Sequence, residues 1–511
     1  MNSVLVKVIY SSFVFSPILI GSIVVDSHPR ISKLLRIMGF TVPPLLFILT
    51  GYIRLLDYQL VLTLVTVIAA LGISLHSEAY YRVLYGTSRF FQISIDIILA
   101  SLLLLYSSTY FIELIIYWFI LDLFIALVAI TMEYGAENLP VASTYIALCI
   151  APSDIALLTM WALLASSYGL DYSIFINLNT IPQTPLNLDY ITSLIITVGF
   201  AAKIGQTPFH SWIPIVYGKS PTHVSAILSG VVSKMGIYAL FLSMQLFNTN
   251  NIALYVLFAQ GLISTVYGSF GAVLQVNVKN LLAYSSIGYY GIMASLFAAF
   301  TLLSQPILKA ALLVTLVFHT VIKVLAFLNT SLVYQVSNTY DVYRLGYLYY
   351  VTRKGALSAF TALLSLTGIP PSIGFTVKLL LLLASINLSL IHTLGIPLLV
   401  AIVLSSVFSI AYGAKFMGVY LSSIPRITPR PIPIPQLELN AEIYLGAASL
   451  ILPLSILLYT YYAGFLDSVF TIVLIAIYAI TFTAYTLLFT RIYTKPDIPE
   501  DVKYWLSGVE S

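Results

Sequence analysis

The sequence predicts an all-α membrane protein that crosses the bilayer about fourteen or fifteen times. Hydrophobic residues make up 60% of the 511-residue chain and charged residues only 8%, whereas about a quarter of an ordinary soluble domain is charged. The mean hydropathy is +0.99. A spanning helix needs about 20 apolar residues, so the chain has room for about fifteen helices and short loops. A surface with so few charges has to face lipid.

The predicted helices are apolar runs separated by short polar segments. The region 90–131 exceeds one crossing and is therefore divided in two. The first run has no convincing cleavage site and more apolar sequence follows it, so it is predicted to be a helix rather than a signal peptide. The predicted spans are 4–25, 37–53, 59–76, 90–108, 110–131, 142–166, 188–215, 222–247, 253–274, 280–302, 306–333, 357–386, 394–418, 441–463 and 467–490.

Basic residues between the predicted spans fall on one side of the membrane if the helices alternate. The positive-inside rule makes that side cytoplasmic and places the N-terminus outside. A fifteenth span returns Arg491 and Lys495 to the same side, which favours fifteen spans over fourteen. The other basic residues of that side are Arg30, Lys33, Arg36, Arg82, Arg89, Lys279, Arg344, Arg353, Lys354, Lys415, Arg426 and Arg430.

A proline-rich tract, IPRITPRPIPIPQLE at 424–438, separates the thirteenth and fourteenth spans. Proline recurs at almost every second position, which excludes a helix and predicts an extended cytoplasmic linker over 419–440. The polar tail after the last span is expected at the membrane surface or in water. No polar stretch is long enough to bury a core of its own, so no soluble domain is predicted.

Ionisable side chains within the predicted spans are the candidates for function, because a charge at mid-membrane costs roughly 3 kcal/mol or more. Lys279 and Lys309 are expected to extend to the headgroups, while Asp96 and Asp154 fit that position and a buried one equally well. Asp122, His319 and His210 are further candidates. The lysines too deep to reach the headgroups are Lys203, Lys234, Lys323 and Lys378.

Two of these lysines adjoin helix-breaking residues. Lys203 precedes QTPFHSWIP and Lys378 ends a segment that begins LTGIPPSIGF. Proline removes a backbone donor and clashes with the preceding turn, so both spans are predicted to be two half-helices. Prolines alone also fit kinked packing helices. Lysines beside both breaks instead indicate an inverted-repeat transporter with its ion path at the breaks. The prolines at the predicted breaks are Pro208, Pro370 and Pro371.

A carboxylate in the fifth predicted span, Asp122 in YWFILDLFIALVAI, has no partner nearby in sequence. Burial favours the neutral form of a lysine, and a neighbouring carboxylate favours the charged form. A change in the distance between the two groups, or in their hydration, would therefore switch the lysine between holding and releasing a proton. A proton pump requires such a switch.

These regions resemble the antiporter-like subunits of respiratory complex I, Mrp-type sodium/proton antiporters and membrane-bound hydrogenases. The central signature of that family is similar to AAKIGQTPFHSWIPIVYGKSPTHVSAILSGVVSKMGIYAL at 201–240. The resemblance runs from about residue 76 to residue 385. It is further carried by HSEAYYRVLYGTSRFF (76–91), NVKNLLAYSSIGYYGI (277–292), FHTVIKVLAFLNTSLVY (318–334), TYDVYRLGYL (339–348) and LTGIPPSIGFTVKLLLL (366–382).

The resemblance implies an internal repeat. Three N-terminal helices over 1–89 would precede a first five-helix repeat over 90–247 and an inverted second repeat over 253–418. Each repeat would contain one discontinuous helix. The linker at 419–440 and the C-terminal helices and polar tail over 441–511 would follow. The family also implies a hydrated axis of lysines and histidines across the middle of the membrane.

The resemblance also assigns the ion path to particular residues. Asp122 stands where the family usually has glutamate, which leaves open whether it pairs with Lys203 directly or through water. Glu113 is the second choice for this role, and His210 is expected only to cap or hydrate the break. His223 replaces a usual proline and is expected to be a loop variation. The implied path is Asp122, Lys203, Lys234, His319, Lys323 and Lys378, with Glu113, His210 and Asp154 as secondary candidates.

The resulting functional hypothesis is a subunit of a membrane-bound respiratory or hydrogenase-type complex that translocates protons, or exchanges protons for sodium, in response to redox chemistry in partner subunits. A stand-alone or Mrp-type cation/proton antiporter is an alternative. A structural subunit that has lost transport is a third possibility, which the four retained lysines disfavour. One cysteine, Cys149, and six scattered histidines predict no haem, iron–sulfur or other metal site and no catalytic redox centre in this chain.

The expected partners are other membrane-arm subunits, including antiporter-like paralogues, and a peripheral redox module. The net charge of +4 gives no indication of nucleic-acid binding. The expected location is the cell (inner or plasma) membrane, with lipid around the helices.

Overall fold

The structure, a computed structural model, describes residues 3–53, 55–179, 185–346, 348–421 and 434–494. Within these residues the chain is almost entirely helical. A single short parallel sheet in them pairs β1 (Leu186–Asn187) with β2 (Phe247–Asn248). Fourteen helices of the described part are long and apolar enough to cross a membrane. The predicted class, an all-α multi-pass membrane protein, is confirmed.

The helices follow the predicted apolar runs. Three π-helical segments, Ile125–Ala129, Ile146–Ile150 and Leu228–Val232, continue or join α-helices within single crossings. The α-helices are α1 (Ser3–Ile23), α2 (Pro29–Leu49), α3 (Asp57–Tyr85), α4 (Arg89–Tyr106), α5 (Phe111–Phe124), α6 (Leu139–Tyr145), α7 (Ala151–Tyr168), α8 (Leu170–Ser173), α9 (Tyr190–Ile204), α10 (Trp212–Lys219), α11 (Thr222–Ile227), α12 (Lys234–Leu246), α13 (Asn251–Leu274), α14 (Val278–Leu303), α15 (Pro306–Ser337), α16 (Leu348–Val351), α17 (Arg353–Thr367), α18 (Ile373–Ile391), α19 (Gly395–Leu421), α20 (Gln436–Tyr462) and α21 (Ser468–Thr494).

The predicted seventh and twelfth spans are interrupted. The seventh consists of α9 and α10, with an irregular segment and the 3-10 turn Phe209–Ser211 between them. It is absent from the fourteen long helices because neither half is long enough to cross alone. The twelfth consists of α17 and α18, and of these two only α18 is among the fourteen helices long enough to cross a membrane. When α9 and α10 are taken as one crossing, the described chain has fifteen.

Several predicted boundaries were wrong, and the end of the third span is one of them, since α3 continues to Tyr85 instead of ending at residue 76. α2 begins at Pro29, in the first helical turn that proline favours, so Arg36 lies inside the helix rather than in a loop. α20 begins at Gln436, directly after Pro435, so Glu438 is helical rather than part of the linker. Residues 422–433 of the predicted linker and the tail from 495 onward lie outside the described residues.

The helices differ widely in how far they are covered by the rest of the protein. In an apolar stretch of 18 residues within each helix, all residues of the crossing Thr222–Leu246 and 94% of those of α15 are buried, whereas only 17% are buried in the last crossing. α15 packs against α3, α14, α18 and α20 at the centre of the molecule. The two most enclosed crossings are those that carry Lys234, His319 and Lys323.

Candidate functional site

Lys203 and Asp122 form an ion pair in the protein interior. Lys203 is near the end of α9 and Asp122 near the end of α5, and the ammonium donates a hydrogen bond directly to Asp122 Oδ1. Neither side chain is more than 2% exposed. Lys203 Nζ also lies 5.2 Å from the Trp118 ring centroid and 5.7 Å from that of Tyr145, within the range of a cation–π interaction. The sequence left open whether Asp122 contacts Lys203 directly or through water, and in the structure the contact is direct.

The backbone beside this pair departs from the regular α-helix. α9 ends one residue after Lys203, where Gly205 takes the left-handed conformation, with φ +79°. A Cβ at Gly205 would lie 2.0 Å from Ile213 Cδ1, so only glycine fits. Pro208 follows in the irregular segment. On the other helix, the π-helical segment Ile125–Ala129 begins three residues after Asp122. Such irregular turns often accompany functional sites.

Asp154 belongs to the surroundings of this pair. Its Oδ1 accepts a hydrogen bond of 2.9 Å from Trp118 Nε1. It also interacts electrostatically with both Asp122 and Lys203. Asp154 is therefore a second carboxylate close to the Lys203–Asp122 pair.

Among the described residues, Glu113 and His210 form no polar contact with the four deep lysines. Glu113 is at the start of α5, where it accepts a hydrogen bond of 2.6 Å from the Thr109 N–H and lies 3.8 Å from Lys7 Nζ. It caps the helix and faces another lysine, so it does not replace Asp122 in this conformation. His210 lies in the break, with its ring centroid 4.7 Å from that of Tyr267.

The second lysine, Lys234, directly contacts a histidine. Lys234 is the first residue of α12 and lies two residues after the π-helical segment Leu228–Val232. Its Nζ is 2.5 Å from the Ser229 carbonyl oxygen. The same Nζ lies 2.7 Å from His319 Nδ1. One of these two nitrogens has to donate and the other to accept. The contact therefore holds a single proton between them.

Lys323 lies one helical turn after His319 on α15. Its Nζ donates to the Leu282 carbonyl oxygen at 3.0 Å and to Ser285 Oγ, both on α14. These acceptors carry no net charge. Of the four deep lysines, Lys203 alone forms a salt bridge within the described residues.

Lys378 closes the second helix break. Its Nζ donates to the Thr367 carbonyl oxygen, the last residue of α17, at 2.8 Å, and to Ser409 Oγ at 2.6 Å. Gly368 ends α17 in the left-handed conformation, with φ +78°, and a Cβ there would lie 2.5 Å from Lys378 Cδ. The lysine thus bridges the interruption that contains Pro370 and Pro371. In the described part of the chain, no direct hydrogen bond joins the sites of Lys203, Lys234 and Lys378.

Sequence reasoning missed a second buried polar region. Arg36, 1% exposed, donates to Glu78 and lies 3.8 Å from Asp96 Oδ2. Asp96 is fully buried, which settles its position. Lys279 was expected at the headgroups, but it is 1% exposed and donates to the Ser220 carbonyl oxygen. That expectation was wrong because neighbouring helices cover the side chain.

His223 is likewise not a loop variation. It lies in α11, fully buried, and its Nε2 is 3.0 Å from His76 Nδ1 on α3. On the other side of His76, Nε2 lies 3.6 Å from Glu442 Oε1 on α20. The motif HSEAYY was the available signal, since its histidine, His76, is the last residue of the predicted span 59–76.

A match to a known protein family covers most of the region that contains these residues. The family described as "NADH:quinone oxidoreductase/Mrp antiporter, TM" matches residues 112–409, which is more than half of the chain. The chain belongs to this family. The matched range contains both helix breaks and all four deep lysines.

Several relatives are subunits of different membrane complexes. F(420)H(2) dehydrogenase subunit N of Methanosarcina mazei is 28% identical over 240 residues, covering 44% of this chain and 46% of the relative. NAD(P)H-quinone oxidoreductase chain 4 1 of Synechococcus sp. is 25% identical, covering 73% of this chain and 70% of the relative. Hydrogenase-4 component B of Escherichia coli is 25% identical and covers 57% and 45%. The chain thus spans less than half the length of the first and last of these.

Solved structures confirm the fold. A chain of the Mrp complex from Dietzia sp. DQ12-45-1b superimposes with a TM-score of 0.72 at 20% identity, covering 88% of this chain and 50% of that one. A chain of an archaeal membrane-bound sulfane sulfur reductase gives 0.68 at 20% identity, covering 86% and 75%. The match to the family over residues 112–409 confirms the family expected from the sequence, and the two structures confirm its fold.

Proposed function

We propose that the chain is a proton-translocating, antiporter-like subunit of a membrane-bound respiratory or hydrogenase-type complex. The observation that carries this proposal is the row of buried ionisable side chains at the two helix breaks and on the two most enclosed crossings. Buried charges inside a membrane protein are costly and mark ion paths. Relatives named as quinone oxidoreductase, F(420)H(2) dehydrogenase and hydrogenase subunits support the type of complex.

Each member of the proposed path has two protonation states and a different environment. Lys203 keeps a charge beside Asp122, while Lys234 shares a proton with His319. Lys323 and Lys378 are held by neutral carbonyl and hydroxyl oxygens. A proton entering at one site would change the field at the next, since a unit charge acts over several ångströms in a low dielectric. Water would complete the connections between the sites.

The internal repeat is part of the proposal. Helices within 90–247 would form one unit and helices within 253–418 an inverted second unit. The support is that each range contains one interrupted crossing with a lysine at the interruption, Lys203 and Lys378 respectively. The N-terminus would lie outside and the basic loops in the cytoplasm, in the inner or plasma membrane.

The partners proposed are other membrane-arm subunits, including antiporter-like paralogues, and a peripheral redox module that drives transport. The chain itself would carry no redox cofactor. The alternative is an Mrp-type or stand-alone cation/proton antiporter, which the resemblance to a chain of the Mrp complex favours. In that case sodium would be exchanged for protons without redox turnover. A structural subunit that has lost transport is the weakest alternative, because all four lysines are retained.

The test is proton transport by the whole complex in sealed vesicles, with and without Na⁺. Lys323→Gln should reduce the pH gradient formed per redox turnover by about tenfold. Lys309→Gln is the matched control on the same helix, since Lys309 is 29% exposed and pairs with Asp57 at 2.5 Å, and it should transport as the parent does. Equal transport by both variants would refute the proposed path. A gradient driven only by Na⁺ would identify the antiporter.

A further inference from the structure

We infer that Glu442, His76 and His223 form a proton relay separate from the row of lysines. It would supply protons from the end of the molecule that carries the basic loops. The inference rests on the proposed function, because a relay needs a path to feed. The three residues belong to α20, α3 and α11, and only α11 lies within the range matched by the family.

The contacts have the order that a relay requires. Glu442 Oε1 is 3.6 Å from His76 Nε2, and His76 Nδ1 is 3.0 Å from His223 Nε2. Both nitrogens of the central imidazole thus face a partner that can exchange a proton. An imidazole with a partner on each side can receive a proton at one nitrogen and release another from the opposite nitrogen.

The relay is enclosed, and its hydrogen bonding within the protein is incomplete. All three side chains are fully buried. Within the described chain, five polar atoms of this region have no hydrogen-bonding partner in the protein. Buried polar atoms are normally satisfied, and internal water does so where the protein does not. The five atoms are His76 Nε2, His223 Nδ1, Glu442 Oε1, Glu438 Oε2 and Gln335 Oε1.

Charged groups flank the relay at both ends. Glu438, one turn before Glu442 on α20, acts electrostatically on His76. Lys279 of α14 acts on His223, which also contacts the rings of Tyr80 and Tyr81 at 4.8 and 5.1 Å. Ionisable groups of α20 and α14 therefore lie at the two ends of the relay.

Glu442 is also tied to the helix of the central lysines. Its Oε2 accepts a hydrogen bond of 3.0 Å from Asn329 Nδ2 on α15. Asn329 lies six residues after Lys323, which corresponds to about 9 Å along a helix axis. Glu438 is the third residue of α20 and its Oε1 accepts from Gln335 Nε2 at 3.0 Å. Glu438 thus lies beside the C-terminal end of α15, and Glu442 lies one turn further along α20, beside Asn329 and nearer to Lys323.

The proton balance of one transfer is simple. Protonated Glu442 gives its proton to an intervening water, which passes one of its own protons to His76 Nε2, and His76 releases the proton on Nδ1 to His223 Nε2. The products are the Glu442 carboxylate, His76 in its other neutral tautomer and protonated His223. Return of the proton through the same atoms resets the relay. When His223 instead loses its proton through water towards Lys323, the reset requires a flip of the His76 ring and a new proton on Glu442.

The test combines infrared spectroscopy with transport by the intact complex. In the parent, redox turnover should change the carbonyl stretch of a protonated carboxylic acid. Glu442→Gln keeps the size and the bond from Asn329, and it should remove this signal. His223→Gln keeps a donor towards His76 but cannot carry the proton, and it should lower the proton transport rate by about tenfold. The exposed His28 provides a matched control, and His28→Gln should leave both readouts unchanged.

The outcomes separate the relay from the function on which it rests. If the parent pumps and His223→Gln pumps at the parental rate, the histidine pair is structural and the relay is refuted, while the proposed function stands. If no carboxyl signal is lost in Glu442→Gln, the relay is likewise refuted. If the parent forms no gradient, the proposed function fails, and the infrared signal alone then reports whether Glu442 exchanges a proton. Should Glu442→Gln fail to assemble, His223→Gln and His76→Gln decide the question.

Discussion

Lys203 bonds directly to Asp122 although 81 residues separate them in sequence. The short aspartate reaches the lysine directly. A single methylene fewer than glutamate has therefore not opened a gap. The pair also has Asp154 as a second carboxylate within electrostatic range.

Replacing Asp122 should impair transport more than assembly. Asp122→Asn removes the charge that holds Lys203 protonated, and it should reduce proton transport by about tenfold. Lys203→Met should reduce it at least as much, whereas Asp122→Glu keeps the charge and should retain most of the activity. Proton transport in vesicles, normalised to redox turnover, is the measurement.

Glu113→Gln serves as the control for this pair, because Glu113 faces Lys7 instead. It should transport at close to the parental rate. Full transport by Asp122→Asn would contradict the prediction and would direct attention to Asp154 as the acid that replaces it.

A substitution at Gly368 should disturb Lys378. Gly368→Ala places a residue with a Cβ in the left-handed conformation, which costs about 1–2 kcal/mol. The added Cβ would also collide with Lys378 Cδ. We expect a lower unfolding temperature and slower transport. Gly418→Ala is the control, because nothing lies within 4 Å of a Cβ there and alanine favours the helix. Equal behaviour of the two variants would show that the break adapts freely.

The Arg36 network should contribute to stability. Arg36→Met leaves Glu78 and Asp96 buried with less compensating charge, and loss of one partner of a buried pair costs about 3 kcal/mol or more. The unfolding temperature of the detergent-solubilised protein should fall clearly. Arg30→Met, at an exposed position of the same helix, should leave it unchanged. An unchanged unfolding temperature of Arg36→Met would contradict this prediction and would mean that Arg82, 3.2 Å from Glu78, compensates the buried carboxylate by itself.

The isolated subunit should contain no redox centre. A single cysteine and six histidines provide too few ligands in recognisable patterns for haem or an iron–sulfur cluster. Absorption spectra and iron analysis of the purified chain test this expectation. One haem or one cluster per chain would disprove it.

The sequence predicted the crossings well because lipid imposes long apolar runs. It also predicted where the helices break, since proline beside glycine cannot continue a helix. It did not predict the burial of Arg36 or Lys279, because a basic residue near a span end can either reach the headgroups or pair inside. Which of these occurs depends on a partner distant in sequence: Glu78 is 42 residues from Arg36.

The histidine pair shows the same limit. His76 and His223 lie 147 residues apart, and neither has a local signal that names the other. The family resemblance placed His223 at a position usually occupied by proline and so suggested a loop. Only the packing of α3 against α11 brings the two rings together.

The π-helical segment before Lys234 has a consequence for comparing sequences. A wide turn of this kind holds one residue more than an α-helical turn, and each residue of an α-helix advances by about 100°. Deleting one residue from Leu228–Val232 would therefore rotate Lys234 away from His319 while leaving the composition of the crossing almost unchanged. A chain that differs here by one residue could look equally hydrophobic and yet have lost the contact. Residue count in this crossing, as much as residue identity, keeps the lysine in place.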